Sequence, residues 1–175
     1  MYKKSLLLIT LFLTVLFSNA QIKNGAQVDN TKLSAIAALK KANQFYSQKN
    51  YAEAMTWYQQ SANGGNADGM ASLGYMYGHG LGVKADNAVA GKWYMKASEN
   101  GNARGAAYMG NMYEKGSGVT KNMQEAVTWY TKAANAGNAD AMFKLGGLYE
   151  TGNGVNKDLA QAMKWYKAAA SKFIR

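Results

Sequence analysis

Cysteine is absent from the 175 residues. That removes disulfides and thiolate zinc sites together, so a chain of this size must be held by packing alone. Histidine occurs once, at His79, with no second histidine, cysteine or carboxylate pair near it in sequence, which leaves poor material for a metal centre or an activated nucleophile. Acidic residues are scarce, 10 against 20 basic ones, for a formal net charge of +10. Such a balance favours anionic surfaces such as lipid headgroups or acidic wall polymers. Long apolar runs are missing too: the longest, "SLLLITLFLTVLF" near the start, is too short to span a bilayer.

That run lies between "MYKK" and the small-residue ending "SNA", the three parts of a secretory signal. Cleavage after Ala20 is expected, leaving a mature chain that begins at Gln21, carries +8 and opens with a linker through residue 30. No cysteine follows the cut to take a lipid. The expected location is the periplasm or the extracellular space, where nucleic acid is not an expected partner.

Tryptophan occurs four times, always as "WY", at Trp57, Trp93, Trp129 and Trp165, with 36 residues between successive pairs. The flanking text recurs as "WYQQSANGGNA", "WYMKASENGNA" and "WYTKAANAGNA". Self-similarity at this period predicts a solenoid. Within the unit 103–138, Ala106, Met109, Gly110 and Tyr113 fall at helical spacing, "SGVTKN" interrupts, and "MQEAVTWYTKAANAG" resumes the period, so each unit is two antiparallel helices. Asn50, Asp86, Asn122 and Asp158 are placed to cap the second helices, with Glu53, Glu125 and Gln161 expected to return the bond. Asn66, Asn102 and Asn138 are placed to cap the first helices, each after a glycine suited to a left-handed helix end. The glycines inside the first helices, Gly74, Gly110 and Gly146, imply close approach of a neighbour, for which Ala90, Ala126 and Ala162 are the expected counterparts. The invariant tryptophans are expected in the core.

The ten residues "YGHGLGVKAD", Tyr77 to Asp86, hold three glycines, the histidine and a lysine. A phosphate cradle needs a strand before such a turn, whereas a helix precedes this one. The stretch recurs as "YEKGSGVTKN" and "YETGNGVNKD", with His79 in the slot of Lys115 and Thr151, so it reads as the turn between helices.

These residues resemble the Sel-one-like repeat, a subclass of the tetratricopeptide repeat. Ala103, Met109, Gly110, Met112, Tyr113, Gly116, Gly118, Val119, Ala126, Trp129, Lys132, Ala133, Ala134 and Gly137 carry the resemblance, with Asn122 for the usual aspartate. The match covers the units 67–102, 103–138 and 139–175. The opening unit, 31–66, looks like an ordinary tetratricopeptide repeat through Ala42, Phe45, Tyr51, Ala54 and Tyr58, with a loop four residues shorter. The resemblance implies an all-α fold, a right-handed α-solenoid of antiparallel helix pairs, that holds a protein partner in its concave groove. It implies no cofactor, no metal and no catalysis. Some members resemble proteins credited with hydrolysing or binding penicillins; this chain has neither their cysteine framework nor a Ser-x-x-Lys, which leaves a small envelope hydrolase as the alternative reading.

In a groove of that kind, recognition falls to first-helix positions that differ between units: Asn43, Tyr46, Tyr75, Asn111, Glu114, Phe143 and Glu150. Arg104 joins them because Asp68 and Asp140 suit the positive start of a helix, whereas an arginine in the same slot opposes it and is free to answer a partner's carboxylate. The last helix carries Leu159, Met163, Tyr166 and Phe173. Its apolar flank is expected to meet a partner, lipid or a second copy of the chain. Formal charge by unit is +3, 0, +2 and +3, so attachment to an anionic envelope surface would rest on no single basic patch.

Overall fold

The computed structural model describes residues 30–172. The expected signal segment, all but the last residue of the linker, and Phe173 lie outside them. The described residues form eight helices and no strand: α1 over residues 30–47, then α2 (Tyr51–Asn63), α3 (Ala67–His79), α4 (Asn87–Glu99), α5 (Ala103–Lys115), α6 (Met123–Asn135), α7 (Ala139–Thr151) and α8 (Leu159–Ala170). From α2 onward each helix packs mainly on its neighbours in the chain, the contact pattern of a linear stack.

Helices of 12 or 13 residues are marginal alone, so their ends and one buried stripe must hold them. Asn66, Asn102 and Asn138 accept from the backbone N–H of Gly69, Gly105 and Ala141 at 2.8–2.9 Å. Asp86, Asn122 and Asp158 accept from Val89, Glu125 and Gln161 in the same way. Two expectations about caps are corrected. Asn50 makes no side-chain cap bond and sits at φ −83°, ψ 77°, because the shorter loop turns through Lys49 at φ 58° and ties the Asn50 N–H to the Phe45 carbonyl. Glu53, Glu125 and Gln161 return no side-chain bond to the cap residues. The N–H groups they would meet at Asn50, Asn122 and Asp158 already donate across the loop to the carbonyls of Phe45, Tyr113 and Tyr149 at 2.9–3.0 Å.

The buried stripe repeats with the sequence. Leu73, Met109 and Leu145 are fully enclosed, as are Ala54, Ala90 and Ala126 on the opposing helices, and Tyr58, Tyr94 and Tyr130 are nearly so. Each Leu or Met contributes roughly 1.5–3 kcal/mol by leaving water. The expected role of Trp57, Trp93, Trp129 and Trp165 is corrected here: all four are half-buried. In the first three pairs the tyrosine is the core member. The exposed ring faces carry lysine ammoniums, Lys41 over Trp57 at 3.9 Å, Lys96 over Trp93 at 4.8 Å and Lys132 over Trp129 at 5.1 Å, the geometry of a cation–π contact.

The helix glycines are also partly reassigned. A Cβ at Gly74, Gly110 or Gly146 would fall 2.5–2.6 Å from the ring of Tyr94, Tyr130 or Tyr166. Glycine there makes room for an aromatic ring rather than for the expected alanine, although the Ala90 carbonyl does lie 3.1 Å from the Gly74 position. Units meet at two other glycine sets. Gly69 and Gly105 abut the backbone and side chains at the ends of α2 and α4, and the loop glycines Gly82, Gly118 and Gly154 sit against Tyr51, Asn87 and Met123, the first residues of α2, α4 and α6.

Candidate partner-binding groove

The first helices α3, α5 and α7 turn the positions that vary between units toward one side of the stack. Two adjoining cavities open there. The larger, about 600 Å³, lies across α3, α4, α5 and the start of α7; the smaller, about 430 Å³, lies across α1, α2 and α3. They share Tyr75, Arg104 and Tyr108, so they form one continuous groove.

Of the sequence-predicted residues, Asn43 and Tyr46 line the smaller cavity, Asn111 lines the larger one, and Tyr75 and Arg104 line both. Glu114, Phe143 and Glu150 line neither. Glu114 stands just behind the groove wall, where the Tyr130 hydroxyl donates to its Oε2 at 2.5 Å and Lys144 Nζ lies 3.2 Å from both oxygens. Phe143 is 64% exposed and packs on Tyr166 with ring centroids 5.3 Å apart. Glu150 accepts from the Tyr166 hydroxyl at 2.7 Å.

Arg104 also has a partner within the chain. Its Nη2 donates at 3.0 Å to Oδ1 of Asp68, the residue in the same slot one unit earlier, and Asn102 Nδ2 donates to that oxygen at 2.8 Å. The arginine that opposes its own helix start therefore answers a carboxylate of its own chain. With side chains 57% and 53% exposed, the pair contributes at most about 1 kcal/mol.

Sequence reasoning missed several groove residues. Tyr94 and Tyr108 stack at 4.5 Å between centroids, and Tyr75 lies 6.2 Å from Tyr108, so α3, α4 and α5 together supply one aromatic wall. Gly78 and His79 also line the groove. They end α3 rather than belonging to the turn; His79 stacks on Tyr75 at 3.9 Å, and its Nδ1 lies 2.9 Å from the Tyr75 carbonyl oxygen. The signal was in the register: Ser72, Tyr108 and Lys144 share one slot, Gly78, Glu114 and Glu150 another, and both vary.

Burial pushes the Glu114 carboxyl up, but the bonds from Tyr130 and Lys144 outweigh it and hold the group below the usual carboxylate range. Burial, and then the Glu114 carboxylate, push the Tyr130 phenol far up. A carboxyl whose folded value is depressed contributes stability that is complete above its unfolded value, about pH 4.3, and is lost as pH falls through the folded value. Thermal melts between about pH 6 and pH 3 should therefore fall more steeply for the native chain than for Glu114→Gln; parallel curves would remove this role. Among the described residues no group of three His, Cys, Asp or Glu is placed to hold a metal ion, and no helix is long and apolar enough to cross a membrane.

Set beside known families, the chain matches the Sel1 repeat over residues 42–66, 67–102, 103–138 and 139–172. The chain belongs to the Sel1 repeat family. Sel1 repeat proteins are protein-interaction scaffolds and typically non-enzymatic. This Sel1 array is similar to a Sel1 repeat protein from Oxalobacter formigenes, at 39% identity and TM-score 0.73 over 76% of this chain and 55% of that one. It is similar also to a protective antigen present in uropathogenic Escherichia coli strains that displays an SLR fold, at 35% identity and TM-score 0.72 over 86% of this chain and 32% of that one. Cysteine rich protein B of Helicobacter pylori aligns at 25% identity and TM-score 0.54, over 66% of this chain and 92% of that one. The array thus spans about half and about a third of the length of the first two. No curated protein matches it.

Proposed function

We propose that this Sel1 array is an exported interaction module that seats a segment of a protein partner in its concave groove, in the periplasm or outside the cell. The observation that carries the reading is the division of the unit into two faces. Positions that recur, such as Leu73, Met109 and Leu145, are buried, whereas the varying slots at Tyr75, Arg104, Tyr108 and Asn111 line continuous open volume. A surface that differs from unit to unit along a fixed frame is how a repeat stack distinguishes partners. Export rests on the leader-like first twenty residues, and the secreted chain is expected to begin at Gln21.

A photo-crosslinking residue placed at Asn111, in the groove, and separately at Thr128, exposed on α6 and outside both cavities, tests the reading in cells. Discrete adducts from position 111 and none from 128 are expected. The same products from both positions, or none from 111, would overturn it.

A further inference from the structure

One groove tyrosine differs from its repeats. The Tyr58 hydroxyl donates to Asn43 Oδ1 at 2.7 Å, Tyr130 to Glu114 Oε2 at 2.5 Å and Tyr166 to Glu150 Oε2 at 2.7 Å. Tyr94 is only 4% exposed and lines the larger cavity, yet its hydroxyl has no hydrogen-bond partner among the described residues. The ring is buried, but its hydroxyl opens onto the cavity, where water and no side chain meets it. Burial pushes this phenol up, so it remains a proton donor throughout the neutral range.

The missing partner is explained by Gly78. Glu114 and Glu150 stand 16 residues before the tyrosines they bind, and Gly78 stands 16 before Tyr94. Packing does not require glycine there, unlike at Gly74: a Cβ at 78 would meet nothing closer than Ala90 Cβ at 3.6 Å, with the Tyr94 hydroxyl at 3.7 Å. Glycine is also a poor helix former. Asn87 Oδ1 lies 3.8 Å from the same Cβ position, and the lining of the cavity as a whole presents Arg104, Lys115 and Lys144 against the single acid Asp140. Asp68 takes up Arg104 and Glu114 takes up Lys144, while Lys115 makes no contact ion pair among the described residues and acts on Glu114 only through its charge.

We propose that Gly78 keeps open a carboxylate seat in which an acidic side chain, carried within an extended segment of a protein partner, accepts the hydrogen bond of Tyr94 as Glu114 does that of Tyr130. The groove continues past this seat into the second cavity by way of Tyr75, Arg104 and Tyr108. That continuity suits a chain running through better than a chain end. The inference rests on the proposed groove binding and specifies its chemistry.

The test sets the array against two short glycine-serine peptides, acetylated and amidated at their ends, that differ only in carrying a central glutamate or a central glutamine. A third peptide, neutral and ending in a free carboxylate, probes a chain end. Binding is followed by amide shifts in NMR. The glutamate peptide is expected to bind at least tenfold tighter than the glutamine peptide, with shifts at Gly78, Asn87 and Tyr108. Gly78→Ala should keep that preference, whereas Gly78→Glu, which supplies the carboxylate internally, and Tyr94→Phe should reduce it to within twofold. Gly78→Glu is the decisive variant because the slot has room for it, and a thermal melt confirms its fold. Equal binding of the two capped peptides, a preference that survives Gly78→Glu, or tighter binding of the free-acid peptide would overturn the seat. Crosslinking from Asn111 in the unsubstituted array judges groove binding separately, so the seat can fail while the groove reading stands.

Discussion

Gly110→Val is expected to abolish the cooperative thermal transition of the array or lower its midpoint by roughly 10–20 °C. A Cβ at this position would lie 2.6, 2.7 and 2.9 Å from three ring carbons of Tyr130. That ring is 2% exposed, and its hydroxyl is fixed on Glu114, so it cannot swing aside without breaking a charge-assisted bond and leaving the core. Overpacking a close-packed core costs about 1–3 kcal/mol, and displacing a buried aromatic raises the loss to about 3–5 kcal/mol. Total stabilities are only about 5–15 kcal/mol. The deciding control is Tyr130→Ala in the Gly110→Val background. If the ring is the obstacle, the double substitution loses much less than the sum of the singles; additive losses, or a midpoint unchanged by Gly110→Val alone, would show that the ring does not set the requirement.

Gly118→Ala is expected to part the stack between its second and third units. Gly118 sits at φ +71°, and a Cβ there would fall 2.7 Å from the carbonyl carbon of Asn87 and 2.8 Å from its carbonyl oxygen. The obstacle is the backbone at the start of α4, which has no rotamer by which to move away. The left-handed conformation alone costs an alanine about 1–2 kcal/mol. Gly101, at φ +83° with nothing within 4 Å of the place a Cβ would take, isolates that contribution. Urea unfolding should therefore show a loss of about 1–2 kcal/mol for Gly101→Ala and roughly twice that for Gly118→Ala, once overpacking is added, with the latter transition broadened or split. Equal losses would mean that the loop glycines serve the turn alone.

Much of this architecture was legible in the sequence because it is local or periodic. A side-chain oxygen before a helical run reads as a cap, and Asn66, Asn102, Asn138, Asp86, Asn122 and Asp158 all form one. Glycines at the ends of periodic runs read as left-handed, and Gly65, Gly101 and Gly137 have φ of 83°, 83° and 90°. Contacts across an interface were less legible, since a helical period names the buried face but not the atom opposite. Thus Gly110 faces Tyr130 more closely than Ala126, and the reciprocal cap at Glu125 loses to the Tyr113 carbonyl, which reaches the Asn122 N–H first. Within its own helix Arg104 is misplaced; its partner Asp68 lies 36 residues back. In the groove, side chains that differ between units mark Asn111 and Tyr75 but not Gly78, because a missing side chain carries no chemistry until the tyrosine beside it is seen.

The half-buried tryptophans have a practical consequence for anyone measuring this molecule. Neither cavity includes an indole, whereas both include tyrosines, and three indoles have a lysine ammonium over the ring. Tryptophan emission and its quenching by iodide will thus report the lysine-bearing side of the stack and change little when the groove fills. An optical assay of binding has to watch the phenols, by ultraviolet difference absorbance, or use a dye attached at Asn111.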